Sequence, residues 1–214
     1  MKNSTFLSNI KVNQRGFSLI ELMISIAIVG IIIVTLAAVF ERSGRLYTTQ
    51  NVSAALQEEV RAAVEIMARD MRMAAYDPIN TGDFEIKTAN ATHLHFTVDR
   101  NDNGNLDNTG FPNCERISFR FSAAQQALQI ICGESTGAQD IQQLIGGVNT
   151  DTIVTALSFD YRDFQNNSTS FIQDIRSAVI TLTAQAPAGR DGMIERSYTT
   201  WVDFRNAGPN ALNN

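Results

Sequence analysis

The stretch Arg15-Gly16-Phe17-Ser18-Leu19-Ile20-Glu21-Leu22-Met23-Ile24-Ser25-Ile26-Ala27-Ile28-Val29-Gly30 opens an apolar run that continues to Phe40. From Phe17 to Phe40 there are 24 residues and a single charge, Glu21. At about 1.5 Å per residue, a helix of that length spans the hydrocarbon core of a bilayer. The 16 residues ahead of it carry Lys2, Lys11 and Arg15 and no acid, a flank that secretory signals share. A cleavable signal, however, has an apolar stretch of only roughly 7–15 residues, with small residues at the cut. Here the chain runs on into Phe40-Glu41-Arg42, so the run is expected to be a retained membrane helix. The basic flank predicts a cytoplasmic amino terminus, with everything after Phe40 on the far side of the membrane.

Glu21 is the anomaly in this run. A carboxylate at the centre of a membrane helix costs about 2.5–3.5 kcal/mol on insertion scales. Near the helix start the penalty falls, because the side chain reaches the interface or meets the positive end of the helix dipole. Two readings follow: an interfacial residue that snorkels, or a carboxylate awaiting a cation from another chain.

The motif from Arg15 to Glu21, with the apolar helix behind it, resembles the class III signal of type IV prepilins and pseudopilins. The resemblance covers Arg15 to about Phe40. It implies that a membrane peptidase cuts after Gly16, the end of a leader at 1–16, and methylates the new terminus at Phe17. Glu21 then becomes the fifth mature residue, and in that family this carboxylate pairs with the terminal amine of a neighbouring subunit. The implied partners are a prepilin peptidase, other minor and major pilins, an inner-membrane assembly platform and the lipid bilayer. The implied location is a single pass through the inner membrane before assembly and the pilus or cell surface afterwards. Two features depart from the pattern. The leader is longer than the shortest in the family, and Ala38 stands where many major pilins carry proline. Gly30 is left as the weak point of the helix, at a cost of roughly 1 kcal/mol relative to alanine.

Beyond residues 17–40, a second helical segment is expected over 41–77. Val52, Leu56, Val60, Ala63, Met67, Met71 and Ala74 recur every three or four positions, the stripe of a helix with one buried face. Glu65 and Arg69 stand four apart, as an ion pair on another face requires. Asp77-Pro78 is the expected stop, which makes Phe17–Tyr76 a nearly continuous helix of about 90 Å. From there the period changes to two over a head at 78–214. Leu94, Phe96 and Val98 alternate with polar neighbours, as do Ile117, Phe119 and Phe121, and Leu157, Phe159 and Tyr161. Further strands are expected near Ala127–Cys132, Ala178–Ala184 and Ser197–Phe204. The fold class is therefore α+β, type IV pilin-like: a long N-terminal helix packed on an antiparallel β-sheet head. Asp70-Met71-Arg72-Met73-Ala74-Ala75-Tyr76 and the closing Val202-Asp203-Phe204-Arg205-Asn206 look like the corresponding strings of PilW-type minor pilins. The J-type pseudopilins of type II secretion are similar.

Cys114 and Cys132 flank two expected strands that turn near Ala123. A hairpin brings them together, and beyond the membrane they face an oxidising compartment, so a disulfide is expected. Closing a loop of that size contributes roughly 3 kcal/mol. Asp99-Arg100-Asn101-Asp102-Asn103-Gly104-Asn105-Leu106-Asp107 alternates oxygen side chains around a glycine turn, the pattern a calcium ion requires. Asp99, Asn101, Asn103 and Asp107 are the candidate side-chain ligands, and Asn105 the candidate carbonyl ligand. The twelfth position is Gly110 rather than the glutamate of an EF-hand, and an Asx-rich turn without metal is the competing reading. No cofactor is required otherwise.

Two further patterns are weaker. His93 and His95 share a strand face but lack a third ligand nearby in sequence, so a solvated face is expected rather than a metal. Gly133-Glu134-Ser135-Thr136-Gly137 matches a nucleophile elbow in spelling only. Both histidines precede the serine and no βαβ alternation surrounds it, so a loop is expected.

The formal charge is −5 and the pI near 5.0. Losing Lys2, Lys11 and Arg15 from 17 basic residues leaves 14 against 22 acidic ones, a side-chain sum of −8. That balance predicts no nucleic-acid contact. The leading functional expectation is a minor type IV pilin that initiates or caps pilus assembly. The alternatives are a minor pseudopilin of a type II secretion filament and a filament-borne adhesin. No enzyme reading competes.

Overall fold

The computed structural model describes residues 16–107 and 110–207. Most of the expected leader, including Lys2, Lys11 and Arg15, lies outside the described residues. One helix, α1, runs from Leu19 to Met71, and the chain divides into two units at Gly44/Arg45, shortly beyond Phe40.

In the first unit every described residue is exposed, and the apolar ones from Phe17 to Phe40 have no protein neighbour to cover them. The segment stays helical through Gly30, so the missing side chain leaves a gap in the surface without interrupting the hydrogen bonds. Thr35, a polar residue in the run, turns its hydroxyl back onto the carbonyls of Ile31 and Ile32, at 3.1 and 2.8 Å. That contact removes a polar group that lipid could not satisfy.

In the second unit, the expected stripe of α1 is the buried one. Leu56, Val60, Ala63, Met67 and Met71 are fully or almost fully covered, with Ala74 beyond the helix end and Val52 half-covered. The helix stops earlier than Asp77-Pro78. After Met71 the chain tightens into i→i+3 bonds, Met73 N–H to Asp70 O and Ala74 N–H to Met71 O. Ala75 then takes a left-handed φ of 59° and gives its N–H to Thr97 O at 2.9 Å. A tertiary hydrogen bond therefore ends the helix, ahead of the proline.

The head holds two antiparallel sheets. The first is a meander, β1 (Ile86–Asn90), β2 (His93–Thr97), β3 (Arg116–Ser122), β4 (Ala127–Cys132) and β5 (Asp140–Gly146), in that spatial order. The second is β6 (Ile153–Arg162), β7 (Ser177–Pro187) and β8 (Met193–Asp203), also in order. Single bonds stitch the sheets together, Val154 N–H to Gln126 O and Phe159 N–H to Ala91 O, both 2.8 Å. One hydrophobic core joins the C-terminal part of α1 to both sheets, through Phe96, Phe119, Ile180 and Leu182 among others. Arg196 of β8 reaches Ser53 of α1, and Thr152 donates to Glu59 at 2.8 Å.

The expected pair Glu65–Arg69 does not form. Glu65 pairs instead with Arg61 at 2.7 Å, while Arg69 leans toward Asp70 at 3.4 Å. Asp70 is almost fully buried and also draws Arg100, at 3.4 Å, so a buried carboxylate outcompetes an exposed one.

Candidate functional site

The functional residues lie at two places, the start of α1 and the loops of the head. At the start, Gly16, Phe17 and Ser18 are non-helical and exposed, with Phe17 92% exposed. The Glu21 carboxylate accepts the Ser18 N–H at 2.9 Å, and Leu22 N–H bonds Ser18 O as the first helical link. This is the glutamate half of an S-x-x-E capping box, formed by Ser18 and Glu21. Ser18-Leu19-Ile20-Glu21 spells that signal in the sequence, and charge alone does not reveal it. The cap satisfies one orphan N–H within the chain. It leaves the carboxylate's charge unpaired among the described residues, in a segment long and apolar enough to cross a membrane.

In the head, Cys114 and Cys132 are disulfide-bonded, with their Cα atoms 5.6 Å apart. The β3–β4 hairpin brings them together through a turn at 123–126, where Gln126 adopts a φ of 50°. The Asp99–Asp107 loop leaves β2 beside the end of α1, where Asp99 N–H bonds Tyr76 O at 3.0 Å. The loop is curled on itself. Asp107 accepts from the amides of Asn101 and Asn103, both at 2.9 Å, while Asn101 and Asn103 oxygens accept the N–H groups of Asn103 and Asn105. Gly104 sits at a φ of +70°, and a Cβ there meets Thr81 Cγ2 at 3.0 Å, so glycine fits the turn with the least strain. The strand ends thus bring the five candidate ligands into one loop. Among the described residues, no three His, Cys, Asp or Glu side chains are grouped to hold a metal, whereas calcium also takes amide and carbonyl oxygens.

The histidines depart from expectation. His95 is buried and His93 half-buried, where a solvated face was expected. Glu134, from the Gly133–Gly137 turn, folds back over β2 and β3, taking hydrogen bonds from His93 at 2.9 Å and from Ser118. His95 lies opposite Ser118 in the register, its Nδ1 3.9 Å from Glu134 and its Nε2 buried without a partner among the described residues. Strand alternation placed both histidines on one face correctly. What covers that face is a turn 39 residues further on, which no local pattern reveals. Ser135 is simply part of that turn, at a φ of 69°.

Burial holds the His95 pKa below its ordinary 6.5, against the attraction of Glu134 and with the help of His93, Arg116 and Lys87. Burial pushes Glu134 up, but hydrogen bonds from Ser118 and His93 outweigh it and leave its pKa lowered. Both shifts have the same sign of linkage. A depressed folded pKa means the unfolded chain binds the proton more readily, so stability is lost as pH falls. For His95 the loss begins at about 6.5, and for Glu134 only below its ordinary 4.5. Thermal unfolding between pH 7.5 and pH 5 should therefore show a falling Tm whose slope flattens in His95→Gln. An unchanged slope would assign the pH dependence to other groups.

A family model described as "Prokaryotic N-terminal methylation motif" matches residues 11–37. A second, "Prepilin peptidase-dependent protein B", matches residues 49–204. No curated protein matches the chain. Among solved structures, a type IV-like pilin from Thermus thermophilus is similar at 12% identity and a TM-score of 0.48, covering 72% of this chain and 98% of that one. The first match takes in Gly16, Phe17 and Glu21, and the second takes in the end of α1 and nearly all of the head. Because that second match spans well over half of the residues, the chain belongs to the prepilin peptidase-dependent protein B family and is type IV prepilin-like.

Proposed function

We propose that this chain is a minor type IV pilin that helps to initiate or cap pilus assembly after cleavage between Gly16 and Phe17. The observation that carries the proposal is the first half of α1. With Phe17 and Ser18 ahead of it, it presents a run to Phe40 that is exposed and mostly apolar, with a single charge, Glu21, near the start. Such a surface needs a bilayer first, and then other helices like itself. Before assembly the chain crosses the inner membrane once, amino terminus in the cytoplasm and head in the periplasm, consistent with a disulfide in the head. Glu21 pairs with the Phe17 amine of a neighbouring pilin, and the assembly platform and the other minor and major pilins are its partners.

Mass spectrometry of the filament fraction should find a mature chain beginning at Phe17 and methylated on its amine. A retained Met1, or a terminus beyond Phe40, would end this reading. Deletion of the gene, followed by piliation and secretion assays side by side, tests the role. Loss of pili with secretion intact is expected. Loss of secretion with pili intact would assign the chain to a type II secretion filament instead. Loss of surface binding alone would make the head an adhesin.

A further inference from the structure

Asp99 is completely buried and Glu115 nearly so, and neither forms an ion pair among the described residues. A buried carboxylate without a cation is costly unless its oxygens are fully engaged. Glu115 meets that condition. Its two oxygens accept the N–H groups of Arg100 at 3.1 Å and Asp107 at 2.7 Å, bracing both ends of the loop. Asp99 does not meet it. Oδ2 accepts the Gly104 N–H at 2.9 Å, inside the loop, while Oδ1 is buried with no hydrogen-bond partner among the described residues. The adjacent cation, Arg100, turns its Nη2 to Asp70 at 3.4 Å, and its buried Nε bonds neither Asp99 nor any other described residue.

An Asx-rich turn explains every hydrogen bond within the loop, but it leaves Asp99 Oδ1 unexplained. We propose that the Asp99–Asp107 loop binds a calcium ion through side-chain oxygens of Asp99, Asn101, Asn103 and Asp107 and the carbonyl of Asn105. The Asn101 and Asn103 oxygens each accept one backbone N–H, and each keeps a second lone pair. Asp107 Oδ2 accepts the amide nitrogens of both side chains, which sets the three side chains side by side; calcium would displace those two N–H groups from Asp107. Five oxygen ligands with water completing six to eight suit calcium, whereas magnesium demands a near-octahedral geometry and gives up its waters reluctantly. Because only two of the five ligands are charged, affinity falls at the weak end of the calcium range, with a Kd of about 10⁻⁴–10⁻³ M.

The test uses the full processed chain in detergent, unfolded thermally in chelator, in calcium and in magnesium. At about 10 mM calcium, a ten- to hundredfold excess over Kd, the Tm should rise by roughly 3–10 °C. Asp107→Ala, at the half-exposed surface, should lose that rise while its Tm in chelator stays within a few degrees of wild type. Asp99→Asn keeps the size of the side chain and an acceptor for Gly104, and should also lose the rise. Calorimetric titration should show one site in wild type and none in either variant. No calcium shift in wild type would overturn the proposal. So would a shift that both variants retain, or one that magnesium reproduces in full, since either would mark general screening of an acidic chain.

Discussion

Glu21→Ala should insert and be cleaved normally, yet enter filaments roughly a hundredfold less than wild type. In the free subunit the carboxylate is tolerated at the start of α1, where it also accepts the Ser18 N–H. In the proposed filament, helix packs on helix outside the bilayer, and the terminal amine of a neighbouring Phe17 is buried and needs a counter-ion. Removing one member of a buried ion pair costs about 3–5 kcal/mol, or roughly two to nearly four orders of magnitude in an equilibrium. The alanine variant also loses the cap, worth roughly 1 kcal/mol, so a second variant is needed. Glu21→Gln keeps an oxygen for Ser18 and loses only the charge. Membrane and filament fractions compared by mass spectrometry separate the cases. Poor incorporation of both variants supports the intersubunit pair, and recovery by glutamine alone would assign the effect to the cap. Wild-type incorporation of both would leave Glu21 as a snorkelling residue in a helix recruited by apolar packing.

Phe96→Ala should be the most damaging single truncation in the head, at about 3–5 kcal/mol. Phe96 is fully buried on β2, opposite Ile86 of β1 and Ile117 of β3, with its ring 6.3 Å from that of Phe119. It lies in the core that both sheets share with α1, so the cavity opens where three layers meet and collapses poorly. At roughly 2–4 °C per kcal/mol, the loss in Tm is about 6–20 °C. Phe164→Ala is the control, since Phe164 is 89% exposed and should change stability by less than about 0.5 kcal/mol. A Tm drop of only a degree or two in Phe96→Ala would show that the core closes over the gap.

Among the described residues, six of the eight strands were legible in the sequence, β2, β3 and β6 of them from alternation of apolar and polar residues. The two that were not, β1 and β5, are the edges of the first sheet. β5 reads Asp140-Ile141-Gln142-Gln143-Leu144-Ile145-Gly146 and buries only Ile145, so its strand state comes from pairing with β4 rather than from its own pattern. β1 is shorter and largely polar, and it is a strand because β2 supplies its hydrogen bonds. Edge strands need a neighbour more than they need a hydrophobic face. The Cys114–Cys132 bridge was legible because both cysteines belong to one hairpin, so proximity in sequence became proximity in space.

By itself, the sequence determined the apolar helix with its lone carboxylate, the buried stripe of α1, the hairpin disulfide and the oxygen-rich loop. All of these are local, set by periods of two or 3.6, by runs, or by spacings within a few turns of chain. Only the tertiary structure decided that the head splits into two sheets, and that α1 stops at Met71 because Thr97 takes the N–H of Ala75. It also decided that Glu134 covers His95 and that Asp70 draws both Arg69 and Arg100. These outcomes turn on burial of charge and on single hydrogen bonds between distant segments. Their energies depend on what else has been excluded from water at the same point, which one segment's sequence does not encode.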